Sequence, residues 1–102
     1  MLNSNCMIID IKKFGTILTS RQLGKEAFMA YSPNFNNISE EEKIYVNFDE
    51  IDVFSPSWGD EFLTALYRKF GNRLILRKSS NASVNASVGM LEKANDMKFN
   101  IE

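Results

Sequence analysis

Apolar positions along the chain switch between strand and helix spacing, and the switches divide it into elements. Cys6 to Ile11, C-M-I-I-D-I, is a short Ile-rich run that predicts a strand. Lys12 and Lys13 lead into Phe14-Gly15-Thr16, which reads as a turn. Thr19 and Ser20 are suitable helix N-caps. After them Leu23, Ala27, Phe28 and Tyr31 recur on one helical face over 20–31, with Arg21, Lys25 and Glu26 on the other. Pro33 disfavours helical geometry at Ser32 and should stop that helix. Residues 33–43, with Asn34, Asn36, Asn37, Ser39 and Glu40 to Glu42, read as a surface loop within one domain.

Ile44, Val46 and Phe48 alternate with Tyr45 and Asn47, which predicts a second strand. Asp49, Glu50 and Asp52 break it before Ile51, Val53 and Phe54 run on to Ser55-Pro56-Ser57. That tripeptide opens a helix whose core-facing stripe is Phe62, Leu63, Leu66, Tyr67 and Phe70, closed by Gly71-Asn72. Leu74-Ile75-Leu76, between Arg73 and Lys78, fits a strand covered on both faces. Ser79, Ser80 or Asn81 can cap the next helix. There Asn-Ala-Ser-Val occurs twice in succession, so that Val84, Val88 and Leu91 line one face, and Gly89 weakens the helix slightly. Lys98 to Glu102 reads as a short final edge strand with Phe99 and Ile101 on one side. The order β-α-β-α-β-α, with a possible last strand, predicts an α/β layer fold with a small, mainly parallel or mixed sheet.

Composition narrows the chemistry. The 102 residues are 44% hydrophobic and 25% charged, which suits a single globular domain over 1–102. A net charge of −1 argues against a general nucleic-acid binder. The chain has no histidine, the commonest general base and metal ligand. Its one cysteine, Cys6, is expected to be a small buried apolar residue. No apolar run approaches the roughly 18 residues of a membrane span. Met1 to Asp10 has no basic stretch ahead of its apolar run, against a secretory signal. The expectation is a soluble, cytoplasmic protein in a reducing compartment. The Asn-x-Ser sequons at Asn37, Asn81 and Asn85 are then chance matches.

The stretch from Val46 to Leu63 resembles the signature region of the STAS-like domain family. The matching pieces are Phe48-Asp49, Val53, Ser55, Ser57 and Asp60-Glu61. Gly15 to Arg21, followed by Gly24, is similar to the family's entry to its first helix, so that the resemblance runs from about Ile8 to Leu91. It implies a STAS-like α/β fold related to the antagonists of anti-sigma factors. In those proteins a kinase of the histidine-kinase-like ATPase type phosphorylates the second serine of Asp-Ser-Ser-Gly, just before the second helix. Laid on this chain the pattern becomes Ser55-Pro56-Ser57-Trp58, with Ser57 at the switch position and three of four residues changed. The resemblance therefore implies a protein partner, either such an ATPase or an anti-sigma-type factor.

The residues themselves leave two readings of Ser57. Either Ser55 or Ser57 caps the helix, or a phosphate on Ser57 sits at the helix start, where Asp60 and Glu61 would repel it. Asp60 and Glu61, adjacent on a helix, are about 100° apart and should not converge on one atom. Asp49, Glu50 and Asp52 match no cation-loop spacing and read as a solvated turn. Trp58 either covers the core edge or is an exposed anchor for a partner. Arg21 and Lys25 lie on a solvated face or grip a phosphate or an acidic partner. Neither a phosphate-binding loop nor a nucleophile elbow is present.

The expected function is thus a non-enzymatic regulatory interaction module without cofactor or metal. Its candidate phosphorylation site is Ser57, and its candidate interface is Ser55, Pro56, Ser57, Trp58, Asp60 and Glu61. The alternative is a small inhibitor or accessory protein, carried by a mobile element, that binds a host protein.

Overall fold

The computed structural model describes residues 6–102. Half of the Met1 to Asp10 segment, read above for a signal sequence, lies outside them. The order is β1 (Cys6–Asp10), β2 (Ile17–Leu18), α1 (Arg21–Tyr31), β3 (Lys43–Asn47), β4 (Val53–Phe54), α2 (Pro56–Gly59), α3 (Ala65–Phe70), β5 (Leu74–Leu76), α4 (Ala82–Asn95) and β6 (Asn100–Ile101). A π-helical segment, Asp60–Thr64, joins α2 to α3 with helical backbone at both junctions, so 56–70 is one helix.

The main sheet is ordered β1-β3-β5-β6 and every pairing is parallel. Each crossover steps to the next strand in the same direction, which places the helices on one face. Ile9, Ile44, Val46, Leu74 and Leu76 point into that face. There they meet Phe62, Leu63, Leu66 and Phe70 of the central helix and Val84, Val88 and Leu91 of α4 in one core. The opposite face carries the register row Ile8, Tyr45, Ile75 and Asn100. Arg77 stacks on the Tyr45 ring at 5.0 Å.

A second parallel sheet, β2 with β4, was not expected. It lies beyond the carboxyl ends of β1 and β3. The chain reaches it through a 3-10 turn (Ile11–Phe14) on one side and a turn with Glu50 at φ 66° on the other. Gly15, at φ 124°, has the backbone freedom this first bend requires. Helix α4 closes the outer edge of β4 in place of a third strand. The Phe54 N–H donates to Ser83 Oγ (3.0 Å), and Ser87 Oγ donates to the Phe54 carbonyl (2.8 Å). These are the two serines of the tandem repeat, one helical turn apart.

Several expectations are corrected. Leu23 is 59% exposed, and the buried residue of α1 is Gly24. A Cβ at Gly24 would lie 2.7 Å from the Trp58 carbonyl oxygen, so this face of the helix has to be bare backbone. The loop after α1 is not wholly superficial. It opens with a 3-10 turn, Ser32–Phe35, that buries Phe35 against the Phe28, Tyr31 and Phe70 rings. Cys6 is exposed, because strand alternation turns it away from the helices. Asn81 caps α4, accepting from the Ser83 and Val84 N–H groups. The final strand exists, but it is two residues long and Ile101 is exposed. None of the helices among the described residues is long and apolar enough to cross a membrane.

The two helical glycines of α1 and α4 should respond oppositely to alanine. Gly24→Ala forces α1 off α2 and should cost about 1–3 kcal/mol. Nothing lies within 4 Å of a Cβ at Gly89, so Gly89→Ala should gain about 0.5–1 kcal/mol. Urea unfolding of both variants measures this, and equal midpoints would contradict the close crossing.

Candidate functional site

The start of α2 is fixed by Ser55 and Pro56. Ser55 has extended backbone, and its Oγ accepts from the Trp58 N–H (3.3 Å), which makes it the N-cap, with Pro56 at the first helical position. The same Oγ donates to the Thr19 carbonyl (3.0 Å), tying the end of β2 to the start of α2. Ser57 is therefore not the cap. It stands at the second helical position, half-buried, and among the described residues its hydroxyl has no hydrogen-bond partner.

Ser57 lines a groove of about 200 Å³ with Pro56, Asp60 and Arg21 on one side and Met90, Leu91, Ala94 and Asn95 on the other. The α4 wall is absent from the sequence-derived site. Its one outward sign is Met90, a large apolar residue left 57% exposed on the helix.

Asp60 and Glu61 do converge on one group. Arg21 Nη1 of α1 lies 3.0 Å from Asp60 Oδ2 and 2.7 Å from Glu61 Oε2. The widened π turn beginning at Asp60 and the reach of the arginine from a second helix bring together two carboxylates that the ideal 100° rotation separates. Burial pushes the Asp60 carboxyl up. The Arg21 hydrogen bond and charge, with help from Thr64 and Asn95, outweigh burial and hold it below the ordinary 3.8. Thr64, on the next turn, is fully buried and its hydroxyl makes no hydrogen bond of good geometry.

Trp58 belongs to the core. It is 1% exposed, stacks on Phe62 at 5.0 Å, and meets the Phe54 ring edge-on at 5.7 Å. An indole buried this way cannot anchor a partner. Lys25 is exposed and makes no hydrogen bond among the described residues. Of the acidic turn, Glu50 pairs with Lys12 (2.7 Å) and Asp49 accepts from Asn47 (3.2 Å). Among the described residues no group of three or more acids and cysteines is placed to hold a metal ion.

A one-sided, all-parallel sheet with its candidate site at the entry to the second helix defines a small α/β domain of the STAS-like kind. A family model described as "STAS-like domain of unknown function (DUF4325)" matches residues 35–88, just over half of the chain, and the chain belongs to that family. The match contains Pro56, Ser57 and Asp60. Arg21 and the groove residues from Met90 onward lie beyond it. No curated protein and no solved structure matches the chain.

Two measurements check this geometry. Ser55→Ala should cost about 1 kcal/mol as a lost cap, whereas Ser57→Ala should stay within about 0.5 kcal/mol of wild type. A carboxyl whose folded pKa is lowered stabilises the fold above its unfolded value, and this contribution disappears as pH falls through the folded value. The urea midpoint of Arg21→Gln should therefore lie below wild type near neutral pH, and the gap should close as pH falls below 3.8. A gap independent of pH would contradict the bridge.

Proposed function

We propose that the chain is a regulatory protein-interaction module that acts by binding, not catalysis, and that a partner protein docks at the α2 entry under the control of Ser57. The observation that carries this reading is the Ser57 hydroxyl on a groove wall, which has no hydrogen-bond partner among the described residues. The facing α4 wall is partly apolar, from Met90, Leu91 and Ala94, and Arg21 and Asp60 supply charge beside Ser57. A cap hydroxyl would be occupied; this one is available.

The proposed partner is an ATPase of the histidine-kinase-like type or an anti-sigma-type factor. Such a kinase would transfer the γ-phosphoryl group of ATP to Ser57 Oγ, releasing ADP and the hydroxyl proton. The product, with a charge of about −2, would face Asp60 and Glu61 and compete with them for Arg21. The interface is then Ser55, Pro56, Ser57, Asp60 and Glu61, with Arg21 and the outer face of α4 added and Trp58 removed.

The test is partner affinity, measured on a partner recovered at native expression. Ser57→Ala should bind as wild type does. Ser57→Asp should fold normally, since an acid suits the first helical turn, yet bind at least about tenfold more weakly, because docking would bury a carboxylate beside Asp60. Failure to recover any protein partner, or equal affinity for Ser57→Asp, would overturn the proposal.

A further inference from the structure

Arg21 stands at the end of α1 where a cation is least useful to its own helix. It is the first residue after the Ser20 cap, beside the positive end of the macrodipole, and the first turn of α1 holds no acid to offset it. What holds the side chain lies on another helix. Its Nη1 donates to Asp60 Oδ2 (3.0 Å) and to Glu61 Oε2 (2.7 Å), across 39 and 40 residues of chain. The placement of Arg21 answers to the groove rather than to α1.

Both bonds leave from one nitrogen. A guanidinium carries five N–H donors in a planar fork, and its Nε–Nη2 edge can grip an oxyanion through two parallel bonds. Among the described residues that edge of Arg21 has no partner, and the side chain is 55% exposed. Arg21 and Ser57 line the same groove of about 200 Å³. Among the described residues that line it, Arg21 is the one cation and Asp60 the one acid, and the α4 wall brings only Met90, Leu91, Ala94 and Asn95. A negative charge placed on Ser57 therefore meets a single counter-ion, already shared by two carboxylates.

We propose that Arg21 reads the charge at Ser57: a phosphoryl group on Ser57 Oγ takes the open Nε–Nη2 edge of the guanidinium and weakens its hold on Asp60 and Glu61. The inference rests on the Ser57 reading above and names how that site would be regulated. Charge and geometry act together. One guanidinium already serves two carboxylates, and the phosphoryl group adds a charge of about −2. A dianion that takes two parallel bonds outcompetes carboxylates that each hold one bond from a single nitrogen. Because Arg21 belongs to α1, a charge change at the start of α2 is felt on a second helix. Arg21 is a positioning residue here: it holds the phosphoryl group and takes no part in its transfer.

The experiment uses the full chain with phosphoserine at position 57, installed by semisynthesis, and follows the phosphorus NMR signal through a pH titration. The second ionisation of a phosphoserine ordinarily lies at about 6. It should fall at least about half a unit lower with Arg21 than in Arg21→Gln. Arg21→Lys, which keeps the charge without the fork, should recover only part of the difference. That variant keeps the test decisive should Arg21→Gln fold poorly, because its phosphate should still ionise above that of wild type. A second arm needs no phosphate. In urea unfolding, Ser57→Asp should lower the folding constant less than about threefold when Arg21 is present and at least about tenfold in Arg21→Gln. The same ionisation in wild type as in either variant, or unfolding effects that simply add, would overturn the proposal. Neither arm contains a partner protein. A negative result therefore leaves docking at the α2 entry standing, and failure to recover a partner leaves the Arg21 result standing.

Discussion

The structure depends on how closely three helices meet around one peptide bond. Gly24 of α1 presses on the Trp58 carbonyl, and Gly59 leaves room for the Phe54 ring and the Leu91 methyl group, both about 3 Å from where a Cβ would stand. Neighbouring residues of α2 are thus clamped from two directions, α1 on one side and β4 with α4 on the other. Trp58 stays buried because no side chain on α1 holds the helices apart. Its indole then organises the rings of Phe14, Phe54 and Phe62. The same closeness brings Arg21 within reach of Asp60 and Glu61, so the polar rim of the groove follows from the glycine contact beneath it.

A second constraint concerns the small sheet. Two strands of two residues cannot satisfy their own edges, and an unmet buried backbone group costs about 1–3 kcal/mol. The tandem Asn-Ala-Ser-Val segment meets this need. Helical periodicity repeats its serine after one turn, and the two hydroxyls take the Phe54 N–H and the Phe54 carbonyl. The first asparagine does two jobs. Its Oδ1 caps α4 and its Nδ2 donates to the Ile51 carbonyl (2.7 Å), which fixes the helix start to the turn before β4.

What was legible in the sequence was whatever burial imprints as a period. The stripe Phe62, Leu63, Leu66 and Phe70, the continuous Leu74-Ile75-Leu76 run and the alternation around Val46 all lie where their spacing places them. The small sheet left no such imprint, since two residues have no period. The repeat was legible as a helix with Val84, Val88 and Leu91 inward, but the work of Ser83 and Ser87 was not, because their partner is a backbone 29 to 33 residues away. Gly24 misled for a related reason. A glycine scores as neutral in an amphipathic pattern, so the apolar periodicity runs through Leu23, one position away from the true contact. At the site, the strand-to-helix entry and Ser57 were readable from local residues, whereas the α4 wall and the shared arginine arise from tertiary packing.

The Ser55 hydroxyl links these levels. It accepts from the first turn of α2 and donates to Thr19, so the end of β2 and the start of the central helix hang on one side chain. Ser57, in α2, stands two residues beyond Ser55, and Ile17, in β2, two residues before Thr19. The α2 entry therefore has a short covalent and hydrogen-bonded connection to β2. The position of the α2 entry is thus set by the end of β2, some 36 residues earlier in the chain, as well as by its own first turn.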